Sequence, residues 1–155
     1  AEYAAGGLPP CPAGALTYLT PAAYNSLRRV LLDGTWYVDY PDDYLTLQAG
    51  FSRLSGGNLF QLEIADASGC AAVEYAGDDL VVIKELLLPG GDAGEGAALI
   101  ARRLRAPRYQ LRLPAFWPAP PGGYLQPFGM IRWVDQQAAR GWAAGTGAYL
   151  GLGLD

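Results

Sequence analysis

The sequence predicts a mixed α/β (α+β) domain, with a central sheet flanked by helices. Three observations carry that prediction. Strand-like apolar stretches joined by short polar turns succeed one another from Asn58 to Leu88. Two helix-like segments precede them and a third follows, leading into another strand-like run. The composition suits one packed core: 155 residues, 51% apolar even with 25 alanines among them, and a net charge of only −4. A chain of this length buries most of the surface its unfolded form exposes, and a low charge with high apolar content excludes global disorder.

Residues 1–15 (AEYAAGGLPPCPAGA) are rich in Pro, Gly and Ala without a period, and read as a linker before a domain over 16–155. The chain opens on Ala, which fits either a removed Met or a piece of a longer protein. Leu16–Leu19 is a short strand. Thr20-Pro21 then starts a helix, with Thr as cap and Pro in the first turn, and Tyr24, Leu27 and Leu31 share its inner face. Gly34 ends it.

Trp36–Tyr40 is an aromatic connection, and Pro41-Asp42-Asp43 opens a helix running to about Leu54. Acids in its first turn suit the helix dipole, and Leu47, Phe51 and Leu54 are expected on its buried face. Asn58–Ala65 alternates as a half-buried strand does. Cys70–Tyr75 is a second strand. Leu80–Leu88 is a third, nearly all apolar, as befits a central strand covered on both faces. Pro89–Gly96 reads as a glycine-rich loop, Ala97–Leu104 as a helix with Ile100 and Leu104 inward, and Tyr109–Leu113 as a strand parallel to Leu80–Leu88. An irregular Pro-rich stretch follows from Pro114. Strands are expected at Phe128–Val134 and Tyr149–Leu154.

The composition also excludes chemistry. The chain has no histidine, which removes His-based acid–base and nucleophilic catalysis and His-ligated metals. Cys11 and Cys70 are far apart and form no C-x-x-C, so two free thiols are expected and no metal site. With Lys84 the only lysine and a negative net charge, nucleic-acid binding is not expected. Neither a membrane-spanning run nor a signal peptide is visible, so the expected location is the cytoplasm.

The strand–helix–helix–three strands–helix–strand order resembles the GNAT acyltransferase family over Leu16 to Asp155. That family carries a [QR]-x-x-G-x-[GA] loop after its fourth strand, whose amides hold the pyrophosphate of acyl-CoA at a helix N-terminus. The matching stretch is Gly91-Asp92-Ala93-Gly94-Glu95-Gly96. Gly94 and Gly96 fill the small positions, and Gly91 stands in place of Gln or Arg. Pro127-Phe128-Gly129-Met130, Tyr149-Leu150-Gly151-Leu152 and Asp155 look like the ends of two-domain bacterial GNAT proteins.

The resemblance implies an acyl-CoA-dependent N-acyltransferase or a domain of one. Its alternative is a non-catalytic GNAT-like module packed on a catalytic domain or on a second copy. Acetyl-CoA would touch Leu87, Gly91, Gly94 and Gly96. Glu85 would be the base that deprotonates an amine substrate, and Tyr124 the acid for the departing thiolate. Trp36, Tyr37 and Tyr40 would line the amine side.

Two features have a plainer reading beside the functional one. Lys84-Glu85 interrupts an apolar strand, and strand alternation puts one charge on each face. A buried charge needs a partner or a task, and an ion pair with an arginine would satisfy it. Arg102, Arg103, Arg105, Arg108 and Arg112 crowd five of the ten arginines into eleven residues. They read as a solvated helix end, or as a surface for phosphate or an acidic partner.

Overall fold

The computed structural model describes residues 1–118, 120–126, 134, 137, 140 and 148–153. Among the described residues, α-helices and two sheets make a mixed α/β fold. The strands are β1 (Glu2–Ala4), β2 (Gly14–Tyr18), β3 (Trp36–Tyr37), β4 (Asn58–Ile64), β5 (Ala67–Tyr75), β6 (Leu80–Leu87), β7 (Arg108–Leu111) and β8 (Ala148–Tyr149). The helices are α1 (Pro21–Leu31), α2 (Asp42–Leu54) and α3 (Ala93–Arg103). Six strands form one sheet in the order β1-β7-β6-β5-β4-β2, antiparallel throughout except that β6 and β7 run parallel. That parallel pair flanks the α3 crossover, as the sequence predicts. The second sheet is the short parallel pair β3–β8.

The sheet separates two cores. On one face α3 packs Leu99, Ile100 and Leu104 against Phe60, Leu62, Ile83 and Leu86. On the other, α1 and α2 pack Tyr24, Leu45 and Ala49 against Leu59, Cys70, Ala72 and Leu87, with Tyr149 and Leu152 joining from the C-terminal end. The helix starts explain themselves. The Thr20 hydroxyl accepts the Ala23 N–H at 3.2 Å, and Pro21 fits the first turn where no N–H is needed.

Several expectations need correction. The opening residues are not a bare linker: β1 pairs with β7 through Tyr3 opposite Tyr109, and Ala5–Gly7 makes a 3₁₀ turn. Trp36-Tyr37, expected within a connection, is strand β3. Leu47, Phe51 and Leu54 are on the outer face of α2, at 49%, 48% and 87% exposure, while Leu45, Gln48, Ala49 and Ser52 are buried. The two sets are offset around the helix, and the inner one keeps small and polar residues where α2 meets the sheet. The glycine stretch is not all loop, since α3 begins at Ala93 and takes Gly94 and Gly96 into its first turns. Of the expected strand Tyr149–Leu154, Leu154 lies outside the described residues; among those described Tyr149 alone is in a strand, with Ala148, and it pairs with β3 rather than the main sheet. The strand expected at Phe128–Val134 lies outside the described residues, Val134 apart.

The correction with most consequence is in β6. Ala72 pairs with Glu85 and Val73 with Ile83, so Lys84 is an extra residue, a β-bulge. The bulge cancels one alternation. Lys84 and Glu85 therefore both face α1 and α2, while Ile83 and Leu86 both face α3.

Candidate functional site

Glu85 is the centre of a buried polar cluster. Its carboxylate accepts Arg28 Nε–H at 3.1 and 3.0 Å and the Tyr24 hydroxyl at 2.7 Å. Both side chains of the Arg28–Glu85 pair are 0% exposed. α1 supplies the two donors one turn apart, which is why Tyr24 and Arg28 reach the same carboxylate. Arg28 also donates Nη1–H to the Val38 carbonyl at 2.9 Å, and its guanidinium lies 5.4 and 5.3 Å from the Tyr37 and Tyr40 ring centres. Burial disfavours the Arg28 charge, but Glu85 outweighs it and the guanidinium holds its proton more firmly than usual. Burial first, then the nearby Cys70 and Glu85 charges, pushes the Tyr24 phenol well above its ordinary range.

The C-terminal segment roofs this cluster. Tyr40 and Tyr44 stack with ring centres 4.2 Å apart, and their hydroxyls donate to the Leu150 and Leu152 carbonyls at 2.9 and 2.6 Å. Between those anchors Gly151 has φ +72°, and a Cβ there would lie 2.6 Å from Glu85 Oε1 and 2.8 Å from Arg28 Nη2. Only glycine permits the chain to lie this close to the ion pair.

Lys84 belongs to a second cluster. Its Nζ is 3.6 Å from Glu74 Oε2, and Glu74 accepts hydrogen bonds from Gln48 and from Ser52, the latter at 3.2 Å. Glu85 is thus satisfied by side chains of α1, and Lys84 by Glu74 of the neighbouring strand β5, which Gln48 and Ser52 of α2 hold in place.

A cavity of about 850 Å³ lies on the other side of the sheet, at the C-terminal end of β6. Leu86, Leu88, Gly91, Gly94, Trp117 and Pro9 are among its walls. The β6–β7 register ends at Ile83 opposite Leu111, while β6 continues to Leu87, so the two strands part at the bulge. Strand ends beside a helix N-terminus are where α/β folds commonly place ligands.

The residues at that helix start do not suit a pyrophosphate. Asp92 caps α3, its Oδ1 accepting the Glu95 N–H at 2.9 Å. The positive end of the helix already meets a carboxylate, with Glu95 in the first turn beside it. The glycines have packing reasons. A Cβ at Gly91 would meet Leu88 at 2.6 Å, at Gly94 it would meet Asp92 Oδ1 at 2.9 Å and Pro9 at 3.3 Å, and at Gly96 Leu86 at 3.1 Å.

The predicted site residues therefore fall in different places. Glu85, Tyr37 and Tyr40 come together around Arg28, with Trp36 beside them but 40% exposed. Gly91 and Gly94 line the cavity across the sheet, and Gly96 packs under it. The Leu87 side chain is buried with α1 and α2, away from the cavity. Tyr124 is 69% exposed in an irregular stretch, and the hydrogen-bond donors to Glu85 are Tyr24 and Arg28 instead. Sequence reasoning missed Arg28, Tyr24 and Gly151. An arginine on the inner face of a helix, in register with Tyr24, was the signal for the first two.

Among the described residues, no group of three or more Cys, Asp or Glu is placed to hold a metal ion, and no helix is long and apolar enough to cross a membrane. Comparison with family models, with characterised proteins and with solved structures gives no match.

Proposed function

We propose that this chain is a GNAT-like module that accompanies an acyl-CoA-dependent N-acyltransferase in the cytoplasm, rather than carrying the transfer itself. The sealing of Glu85 carries this reading. A general base must come within hydrogen-bond reach of the proton it abstracts. Glu85, the position the resemblance assigns to that role, is fully buried and taken by Arg28 and Tyr24. The Asp92 cap supports the same reading, because it opposes a pyrophosphate at α3. The partner is then a catalytic GNAT domain or a second GNAT-like copy.

The parting of β6 from β7 over a large cavity favours a second reading, an N-acyltransferase that binds acetyl-CoA and a small amine itself. Calorimetric titration with acetyl-CoA separates the two. The module reading expects no saturable heat up to millimolar ligand. Micromolar binding that Gly94→Trp abolishes, in a variant that still unfolds cooperatively, overturns it in favour of the enzyme.

A further inference from the structure

β2 ends the large sheet, and among the described residues its one strand partner is β4. Leu19 N–H bonds the Leu59 carbonyl at 3.0 Å, in register with Leu16 opposite Leu62. In an antiparallel ladder the bonded pairs alternate, so Thr17 and Ala15 turn their backbone groups toward β4. Gly14, Leu16 and Tyr18 therefore turn theirs outward, to the open edge. The strand reads Gly-Ala-Leu-Thr-Tyr, with no charge and no proline, the two features that usually blunt an edge. Four of its five residues are exposed and Leu16 is half-buried.

The last turn of α3 brings cations to this edge. Arg102 Nη2 donates to the outward Gly14 carbonyl at 3.1 Å. Arg103 Nε donates to the Tyr18 hydroxyl at 3.3 Å, and its guanidinium lies 4.4 Å from the ring centre. Both arginines are exposed, and their hydrogen bonds go to a carbonyl and a phenol rather than to a carboxylate. Tyr18 and Leu16 point to the α3 face, so a strand added beside β2 would set alternate side chains beneath these two guanidiniums.

We propose that the β2 edge docks an extended acidic segment of a partner protein, which adds an antiparallel or parallel strand and pairs its carboxylates with Arg102 and Arg103. Main-chain bonds to Leu16 and Tyr18 supply the register, and the arginines supply the choice of partner. A second copy of this chain fits less well. Antiparallel self-pairing about Leu16 would gather Arg102 and Arg103 of both copies along one joint, where like charges repel.

The test is a titration of the full chain with a short peptide of alternating glutamate and valine, beside the same peptide with lysine for glutamate. The glutamate peptide is expected to bind at least about tenfold more tightly, with added salt narrowing the gap. It should slow amide exchange at Leu16 and Tyr18 while leaving core strand β5 unchanged. Arg102→Glu with Arg103→Glu should reverse the preference, and thermal unfolding checks that this variant folds. Equal binding of the two peptides, or protection that misses Leu16 and Tyr18, overturns the proposal. So does a dimer in sedimentation that Arg102→Glu strengthens, since the edge then serves a second copy.

Discussion

Arg28 on α1 and Glu85 on β6, 57 residues apart, meet at 3.0 Å with neither side chain exposed. The pair ties the helical layer to the centre of the sheet at the bulge. Removing one partner strands the other charge in the core, so Arg28→Met or Glu85→Gln is expected to cost about 3–5 kcal/mol. Replacing both, with Arg28→Met and Glu85→Met, is expected to cost less than either single change. Urea unfolding of the three variants measures this. A double variant that loses the sum of the singles would mean that the two residues act independently.

Gly151 makes a second claim on the same pair. Gly151→Ala pays both for a left-handed backbone and for a Cβ placed against Glu85 and Arg28. Gly77 has a similar φ, +78°, with nothing within 4 Å of its Cβ, and isolates the backbone part. Gly77→Ala is expected to cost about 1 kcal/mol, and Gly151→Ala at least about 1–2 kcal/mol more. Equal losses would mean that the C-terminal segment does not rest on the ion pair.

How much of this was legible in the sequence depends on whether the deciding contact was local. The helix start at Thr20-Pro21, the alternation of β4 and the apolar run of β6 are local patterns, and all appear as read. The bulge at Lys84 is not local. It exists because β5 supplies one pairing position, Ala72 to Val73, where β6 has two residues. Alternation along β6 alone therefore put Lys84 and Glu85 on opposite faces, where the bulge puts them on one. The site was half legible for the same reason. Glu85 was visible as a charge needing a partner, but Arg28 lies on another element and only the fold brings it near. On α2 the apolar residues Leu47, Phe51 and Leu54 outvoted the polar Gln48 and Ser52, which are buried to hold Glu74.

That inversion of α2 gives a clean stability contrast. Leu45 is fully buried beneath the sheet layer, and Leu45→Ala is expected to cost about 2–5 kcal/mol. Leu47→Ser and Leu54→Ser, on the outer face, are expected to change stability by no more than about 0.5 kcal/mol. Thermal unfolding of the three variants decides it. A loss at Leu54 as large as at Leu45 would mean that the outer face is covered.

The two thiols should differ sharply. Cys11 is exposed and Cys70 is buried. Burial, then the Glu85 charge, pushes the Cys70 thiol well above its ordinary range, so the reactive thiolate is suppressed. A thiol reagent at neutral pH is expected to modify Cys11 quickly and Cys70 only as the protein unfolds. Fast labelling of both in the native protein would contradict the packing of Cys70 beneath α1.

The phenols set the response to alkali. Burial pushes Tyr40 from its ordinary value of 10 up to about 12, and pushes Tyr24 and Tyr149 well above theirs. Between those limits the folded chain keeps protons that the unfolded chain has lost. Stability contributed by the neutral phenols is therefore complete below about pH 10 and lost progressively as the pH rises toward and beyond 12. The phenolate absorbance of the buried Tyr24 and Tyr149 should rise together with unfolding. Tyr40→Phe keeps the stacked ring but removes both the ionisable group and the bond to Leu150. It is expected to lower stability at neutral pH and to flatten the alkaline decline. An unchanged alkaline slope would mean that Tyr40 ionises freely in the folded protein and that the C-terminal roof does not close over it.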